Sequence, residues 1–289
     1  MIYDYNQIYQ CPIMDVIRKR ISVRTYQSKE IPRDLKEQLL TYGARINGPF
    51  QPKVRLEFID NASIAEKAGG KIGTYGLIKG AQHYIAAIVE KGDKNFEQLG
   101  YIFEKFILYA TSLDLGTCWM GGTFRRRDFA KILPLRMNEE MAAVSPIGFP
   151  ENKRSIVESF MRFSVGSSKR KPWEELFFNQ SFLQPLGRNL PFEYITALEG
   201  VRLAPSSLNT QPWRIVKCKD AYHFYLMPSR TYGKNSDFKL NRIDMGIAMC
   251  HFELVLLEQG IRGYWTTENV DIEGSKEMNY TISWKEEAQ

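Results

Sequence analysis

Apolar residues in IMDVIRKRISVRTY (13–26) first recur at helical spacing, through Ile13, Val16 and Ile17. Ile21 and Val23 then alternate with polar residues, so a helix hands over to an extended segment. Pro32 opens PRDLKEQLLTYGARI, where an acidic first turn and Leu35, Leu39 and Leu40 on one face predict a helix to about Tyr42. VRLEFI (54–59) and HYIAAIV (83–89) predict strands, separated by an Ala/Gly/Lys segment that contains GGKIGTYG. The longest helical pattern covers 95–113 and ends at Gly116, before the apolar loop TCWMGGTF. VSPIGF or SIVESF supplies further strand-like runs near 145–165.

The second half replays this order without its opening. A helix PFEYITALEGVRLA leads into the loop APSSLNTQPW, a strand pair RIVKC and AYHFYLM follows, and then a helix IDMGIAMCHFELVLLEQG. A constant offset of 146 pairs Gly100 with Gly246, Phe106 with Phe252, Leu108 with Leu254 and Trp119 with Trp265. Helical periodicity alone brings Phe and Leu into coincidence, so the glycine and tryptophan matches carry the weight. A duplicated half-sized unit is therefore preferred to two unrelated halves. Such a chain imitates a symmetric dimer, with pseudo-repeats at about 13–172 and 176–289 intertwined as one body over 1–289.

With 289 residues, 44% of them hydrophobic, the chain can bury a substantial core. The net charge of +6 is mild, and the basic residues are scattered, so nucleic-acid binding is not expected. Cys11, Cys118, Cys218 and Cys250 show neither paired nor CxxC spacing, which points to reduced thiols rather than a disulfide framework or a zinc site. MIYDYNQIYQ has no signal-peptide core, and no apolar run approaches the ~20 residues of a membrane span. A soluble, cytoplasmic protein without a membrane partner is the expectation.

Conventional catalytic constellations are missing. His83, His223 and His251 lie in apolar patterns that suit packing, and no Walker lysine motif or GxSxG elbow occurs. The glycines of GGKIGTYG do not have dinucleotide-fingerprint spacing, so a flexible loop is preferred there. Cys118 has no base near it in sequence and reads as a small buried hydrophobe. The remaining candidates bind rather than react. In an extended segment Arg20, Ser22 and Arg24 point the same way, presenting two guanidinium forks around a hydroxyl as an anion cradle. Arg170, just before Pro172, offers a further phosphate contact or a solvated basic turn. In TCWMGG two glycines follow a bulky pair, leaving backbone N–H groups open to a planar ligand unless the loop is only a helix-to-strand corner.

Together these segments resemble the FMN-dependent nitroreductase family. RISVRTY is similar to that family's N-terminal phosphate motif, and APSSLNTQPW to its Pro-Ser-x-x-Asn-x-Gln-Pro-Trp loop. LGTCWMGG with SPIGFP resembles its flavin-contacting loop and following strand, and RKPWEEL its closing phosphate arginine. Nearly the whole chain is covered in segments, and the 204–213 loop is the strongest of them. The corresponding place in the first half, GARINGPF, keeps Asn47, Pro49 and Phe50 but lacks Pro-Ser-Ser. The second half lacks Arg-x-Ser-x-Arg and has RGYWTT where the first has TCWMGG. This pattern most resembles the single-chain, internally duplicated branch of that family, and one surviving flavin site is what it implies.

The resemblance implies an α+β nitroreductase-like fold, a central mostly antiparallel sheet flanked by helices, and a monomer acting as a pseudo-dimer. It implies FMN held by Arg20, Ser22, Arg24 and Arg170, with Pro205, Ser206, Ser207 and Asn209 reaching it from the other half-unit. Pro212 and Trp213 would anchor that loop in the core. Backbone N–H groups of Met120, Gly121 and Gly122 would bond near flavin N5, with Thr74 and Tyr75 lining the ring and Arg24 at the pyrimidine edge. NADH or NADPH would be the donor and a small electron-poor molecule, a nitroaromatic or quinone, the acceptor, in ping-pong order with the chemistry on the cofactor. A same-fold enzyme with another reductive reaction, such as dehalogenation, and a non-catalytic flavin-binding protein stay open.

Overall fold

The computed structural model describes residues 9, 11–68, 76–122, 124–151, 169–228 and 236–287. Thr74, Tyr75 and the SIVESF run lie outside the described residues. The chain divides into two compact units, residues 18–166 and residues 167–289 with 1–17, so the division falls within the first helix, α1 (Ile13–Lys19).

In the unit of residues 18–166, α2 (Arg33–Gly43) starts after Pro32, as the pattern predicts. β1 (Val54–Asp60) leads to α3 (Asn61–Ala68), β2 (His83–Glu90), α4 (Asn95–Ser112), β3 (Gly116–Thr117), α5 (Arg126–Ile132) and β4 (Glu139–Gly148). The strands form an antiparallel sheet in the order β1-β2-β4-β3. All residues of β2 but Glu90 are buried, because both sheet faces are covered. One face packs Ile59, Tyr84, Ala86, Ile88 and Val144 against Phe124, Phe129 and Met120. α4 is apolar on nearly every side and correspondingly buried through most of its length.

In the other unit, a 3₁₀ turn (Trp173–Glu175) precedes β5 (Phe177–Asn179), then α6 (Phe192–Leu203), β6 (Trp213–Cys218), β7 (Ala221–Leu226), α7 (Ser236–Glu258), β8 (Gly263–Thr266) and β9 (Asn279–Glu286). The sheet order is β5-β6-β7-β9-β8, and only the β5–β6 pair is parallel. α6 and α7 pack closely at Gly200, where an added Cβ would meet Val255 Cγ2 at 3.1 Å. α1 joins this helix pair: Met14 Sδ lies 3.6 Å from that same point, and the Ile13 N–H donates to Glu258 Oε1 at 2.7 Å.

The run β6-β7-β9-β8 repeats the connectivity of β1-β2-β4-β3. Both inner ladders carry a register shift, between Ala87 and Ile88 in one and between Phe224 and Tyr225 in the other. The mostly antiparallel sheet implied by the resemblance thus comes as two sheets, one per unit. Several elements were not readable from periodicity: α3, α5, β5, β8 and β9, together with the early start of α7 at Ser236 instead of Ile243. RISVRTY forms no regular strand. It makes isolated bridges, Ser22 to Thr117, Thr25 to Lys79 and Tyr26 to Pro150. Among the described residues, no helix is long and apolar enough to cross a membrane.

Candidate functional site

The RISVRTY segment is held on two sides. The Val23 N–H donates to Thr117 O at 2.8 Å, and Lys79 N–H to Arg24 O at 2.8 Å. Val23 is buried against Gly116, where an added Cβ would lie 2.9 Å from Val23 Cγ2, while Ser22 and Arg24 are half-buried. Arg24 Nη1 is buried and has no hydrogen-bond partner among the described residues. A buried guanidinium nitrogen without an acceptor costs free energy unless a ligand supplies one.

Arg20 differs. Its side chain is nearly buried, with Nε 3.9 Å from Oε1 of the fully buried Glu104 on α4. The other carboxylate oxygen, Oε2, accepts the Trp119 indole N–H at 2.7 Å. Glu104 therefore links the arginine segment to the loop that carries Met120, Gly121 and Gly122. Sequence reading missed it as an acid within an apolar helix. The signal was its spacing, since Glu104 shares a helix face with Gly100, Ile107 and Leu108.

Of the three backbone donors expected near flavin N5, one is already spent. Met120 N–H donates to Val144 O at 2.9 Å, Val144 N–H returns the bond to Met120 O at 3.0 Å, and the Met120 side chain is in the core. A peptide N–H in a sheet bridge cannot also serve a ligand, so Met120 is a scaffold residue here. Cys118 is buried, as its packing reading predicts. The histidines are also buried: His83 pairs with Glu30 at 2.7 Å, His223 with Ser283 at 2.6 Å and His251 with Gly200 O at 3.0 Å.

In the other unit, α6 stops at Ala204 because Pro205 disfavours helical geometry before it. Three non-glycine residues of the next six, Leu208, Asn209 and Gln211, have positive φ of 48°, 56° and 47°. Such backbone persists only where its surroundings over-determine it, and clusters of it accompany functional sites. Ser206 Oγ accepts the Gln211 N–H at 2.9 Å, and the Ser207 N–H donates to Asp244 Oδ1 on α7 at 3.0 Å. Asp244 is buried, and burial pushes its carboxyl up to about 7 against the opposing effect of these hydrogen bonds. Trp213 is fully buried and Pro212 is buried beside it, so the loop's far end is anchored as expected.

Arg170 belongs to this loop. Its Nη1 donates to Asn209 Oδ1 at 2.8 Å and its Nη2 to Leu203 O at 3.0 Å. Two of its three guanidinium nitrogens thus shape the Pro-Ser loop, where the sequence suggested a phosphate contact. Lys171 N–H donates to Gln211 Oε1 at 2.9 Å, and Arg214 Nη1 donates to the Gln211 and Trp213 carbonyls at 3.1 and 2.7 Å. Burial and the neighbouring Arg214 push the Lys171 ammonium down. Arg170, Lys171 and Arg214 thus gather positive charge at this loop, with Glu175 as an acidic neighbour of the last two.

A protein-family model described as "Putative TM nitroreductase" matches residues 12–256. A "putative nitroreductase" structure from Thermotoga maritima is similar in fold, with a TM-score of 0.60 at 19% identity over 96% of this chain and 93% of its own. Two shorter structures match about half of this chain. A nitroreductase with bound FMN from Bacteroides fragilis covers 50% of it and 91% of its own length, at 18% identity and a TM-score of 0.41. A "putative NADH oxidase" from Clostridium acetobutylicum covers 48% and 90%, at 24% identity and 0.40. Comparison with curated proteins gave no match.

Proposed function

The chain belongs to the nitroreductase family, whose model spans residues 12–256, and on that premise we propose that it is an FMN-dependent oxidoreductase fed by NADH or NADPH. Its acceptor is a small electron-poor molecule such as a nitroaromatic or a quinone. When bound, FMN would supply the redox chemistry that links the nicotinamide donor to the acceptor in ping-pong order. The protein binds and orients. Arg20 and Ser22 are assigned to the phosphate and Arg24 to the pyrimidine edge, where its positive charge would favour negative charge on a bound ring. Gly121 and Gly122 are assigned to backbone contacts near N5, and Pro205, Ser206, Ser207 and Asn209 to the flavin's surroundings. Arg170 serves by holding Asn209 in place. Two half-units in one chain, functioning as a monomeric pseudo-dimer, are supported by the repeated strand order.

One observation carries the cofactor assignment: Arg24 Nη1 is buried without an acceptor among the described residues. A flavin carbonyl or phosphate oxygen satisfies it. Purified protein should show flavin absorbance bands and release one FMN per chain. Replacing Arg20 and Arg24 together by Ala should abolish FMN retention, and NADH or NADPH should bleach the wild-type flavin anaerobically. A wild-type chain that neither carries nor takes up FMN overturns the proposal, and full retention by the double variant overturns the residue assignment. Bound flavin that neither nicotinamide reduces favours a non-catalytic flavin carrier.

A further inference from the structure

The start of α5 gathers charge that none of these assignments uses. Phe124 to Asp128 line a cavity of about 360 Å³ that presents Arg125, Arg126 and Arg127 in succession. A second cavity of about 360 Å³ shares Arg126 and Arg127. Arg126 is fixed in position. Its Nη2 donates to Gly121 O at 3.0 Å, its Nε to Met141 O at 3.3 Å, and its guanidinium lies 5.2 Å from the Phe124 ring centroid. Both oxygen partners are neutral carbonyls, so neither bond offsets its positive charge. Arg127 is exposed, and among the described residues neither Arg126 nor Arg127 takes part in an ion pair. The acids nearby are few. Asp128 lines the first cavity and donates its N–H to Arg125 O at 3.0 Å. Glu139 and Glu140 line the second, and Glu139 is engaged by Arg55 in a two-point bond at 2.9 Å each.

We propose that the Arg125–Asp128 cavity binds a phosphate group of the reducing nicotinamide dinucleotide. This rests on the reading of the protein as a flavin enzyme that oxidises NADH or NADPH. Arg126 and Arg127 both line the cavity and have no counter-ion among the described residues, so together they offer more than enough donors for a phosphate and exceed what a lone carboxylate needs. The bond from Arg126 to Gly121 ties the cavity to the loop assigned to flavin N5, where the nicotinamide must arrive. A dinucleotide offers two phosphate sources, the 2′-phosphate found only on NADPH and the pyrophosphate common to both donors.

The test is calorimetric titration of the FMN-loaded protein with 2′,5′-ADP, ADP-ribose and 5′-AMP, comparing wild type with Arg127→Ala and with the Arg126→Ala/Arg127→Ala pair. Among the described residues the Arg127 side chain makes no hydrogen bond, so the fold of Arg127→Ala should persist. A fall of about 10- to 100-fold in 2′,5′-ADP affinity alone assigns the cavity to the 2′-phosphate. A matching fall for ADP-ribose assigns it to the pyrophosphate. Unchanged affinities for both ligands in both variants overturn the proposal. Failure to take up FMN would defeat the functional reading instead. The cavity would still be tested in that case, because the same titrations on the purified chain need no turnover.

Discussion

Arg170 donates to Asn209 Oδ1 at 2.8 Å, and Asn209 Nδ2 donates back to Lys169 O at 2.7 Å, across about 40 residues of chain. This reciprocal clasp holds a residue whose φ is 56°, a conformation that asparagine tolerates better than most. Asn209→Ala loses both bonds and the αL tolerance, and should destabilise the protein by about 1–3 kcal/mol in urea unfolding. Asn209→Gly keeps the backbone conformation and loses only the bonds, so it should be the milder of the two. Equal losses in both variants would place the whole effect in the side-chain bonds and none in the backbone.

Glu104 serves Trp119 and Arg20 at once while fully buried. Glu104→Ala removes the indole's acceptor and the carboxylate beside Arg20, and should cost about 3–5 kcal/mol, the range for breaking a buried charge pair. Glu104→Gln keeps an acceptor for the indole and should be closer to wild type in stability. Thermal unfolding ranks the variants, and Trp119→Phe in each background isolates the indole bond through a double-mutant cycle.

Gly116→Ala places a Cβ 2.9 Å from Val23 Cγ2 and 3.0 Å from Pro150 Cγ. The segment bearing Ser22 and Arg24 must shift to relieve it, so overpacking of about 1–3 kcal/mol is expected together with weakened FMN retention. Chemical denaturation and flavin release on dilution read the two effects separately. Normal FMN affinity in a destabilised Gly116→Ala protein would detach this contact from the cofactor segment.

Acid should act through Glu139. Its hydrogen bonds with Arg55, and further bonding from the Arg136 N–H, hold its carboxyl down to about 2. The depressed value means that the unfolded chain takes up the proton first as pH falls. The stabilisation is full above about 4.5 and is lost as pH drops toward about 2. Glu139→Gln should flatten that part of the stability profile, measured as urea midpoints from pH 5 downward.

Asp244 works with the opposite sign. Its carboxyl is raised from 3.8 to about 7, so the folded state binds the proton more tightly than the unfolded chain. That contribution is complete below about 4 and is lost as pH rises through about 7. The associated slope is at most about 1.4 kcal/mol per pH unit. Asp244→Asn retains an acceptor for the Ser207 N–H and should remove the slope between those limits. A profile identical to wild type would mean that Asp244 is ionised throughout.

The sequence by itself determined whatever local chemistry enforces. Apolar spacing located α2, α4 and α6 to within a residue or two, and the strands β1, β2, β6 and β7. Pro205 ended α6, the buried histidines and Cys118 read correctly as packing residues, and the Pro-Ser loop declared itself by composition. Short elements escaped, because α5 or β8 has too few residues to show a period, and β9 is set by its partner strands rather than by its own alternation. Only the tertiary structure decided how polar groups are spent. Met120's N–H goes to Val144, Arg170's fork goes to Asn209 and Leu203, and Glu104 is drawn between Arg20 and Trp119. The reason is physical: a hydrogen-bonding group's partner depends on which segments burial brings within about 3 Å of it, and residue type records only its capacity to bond.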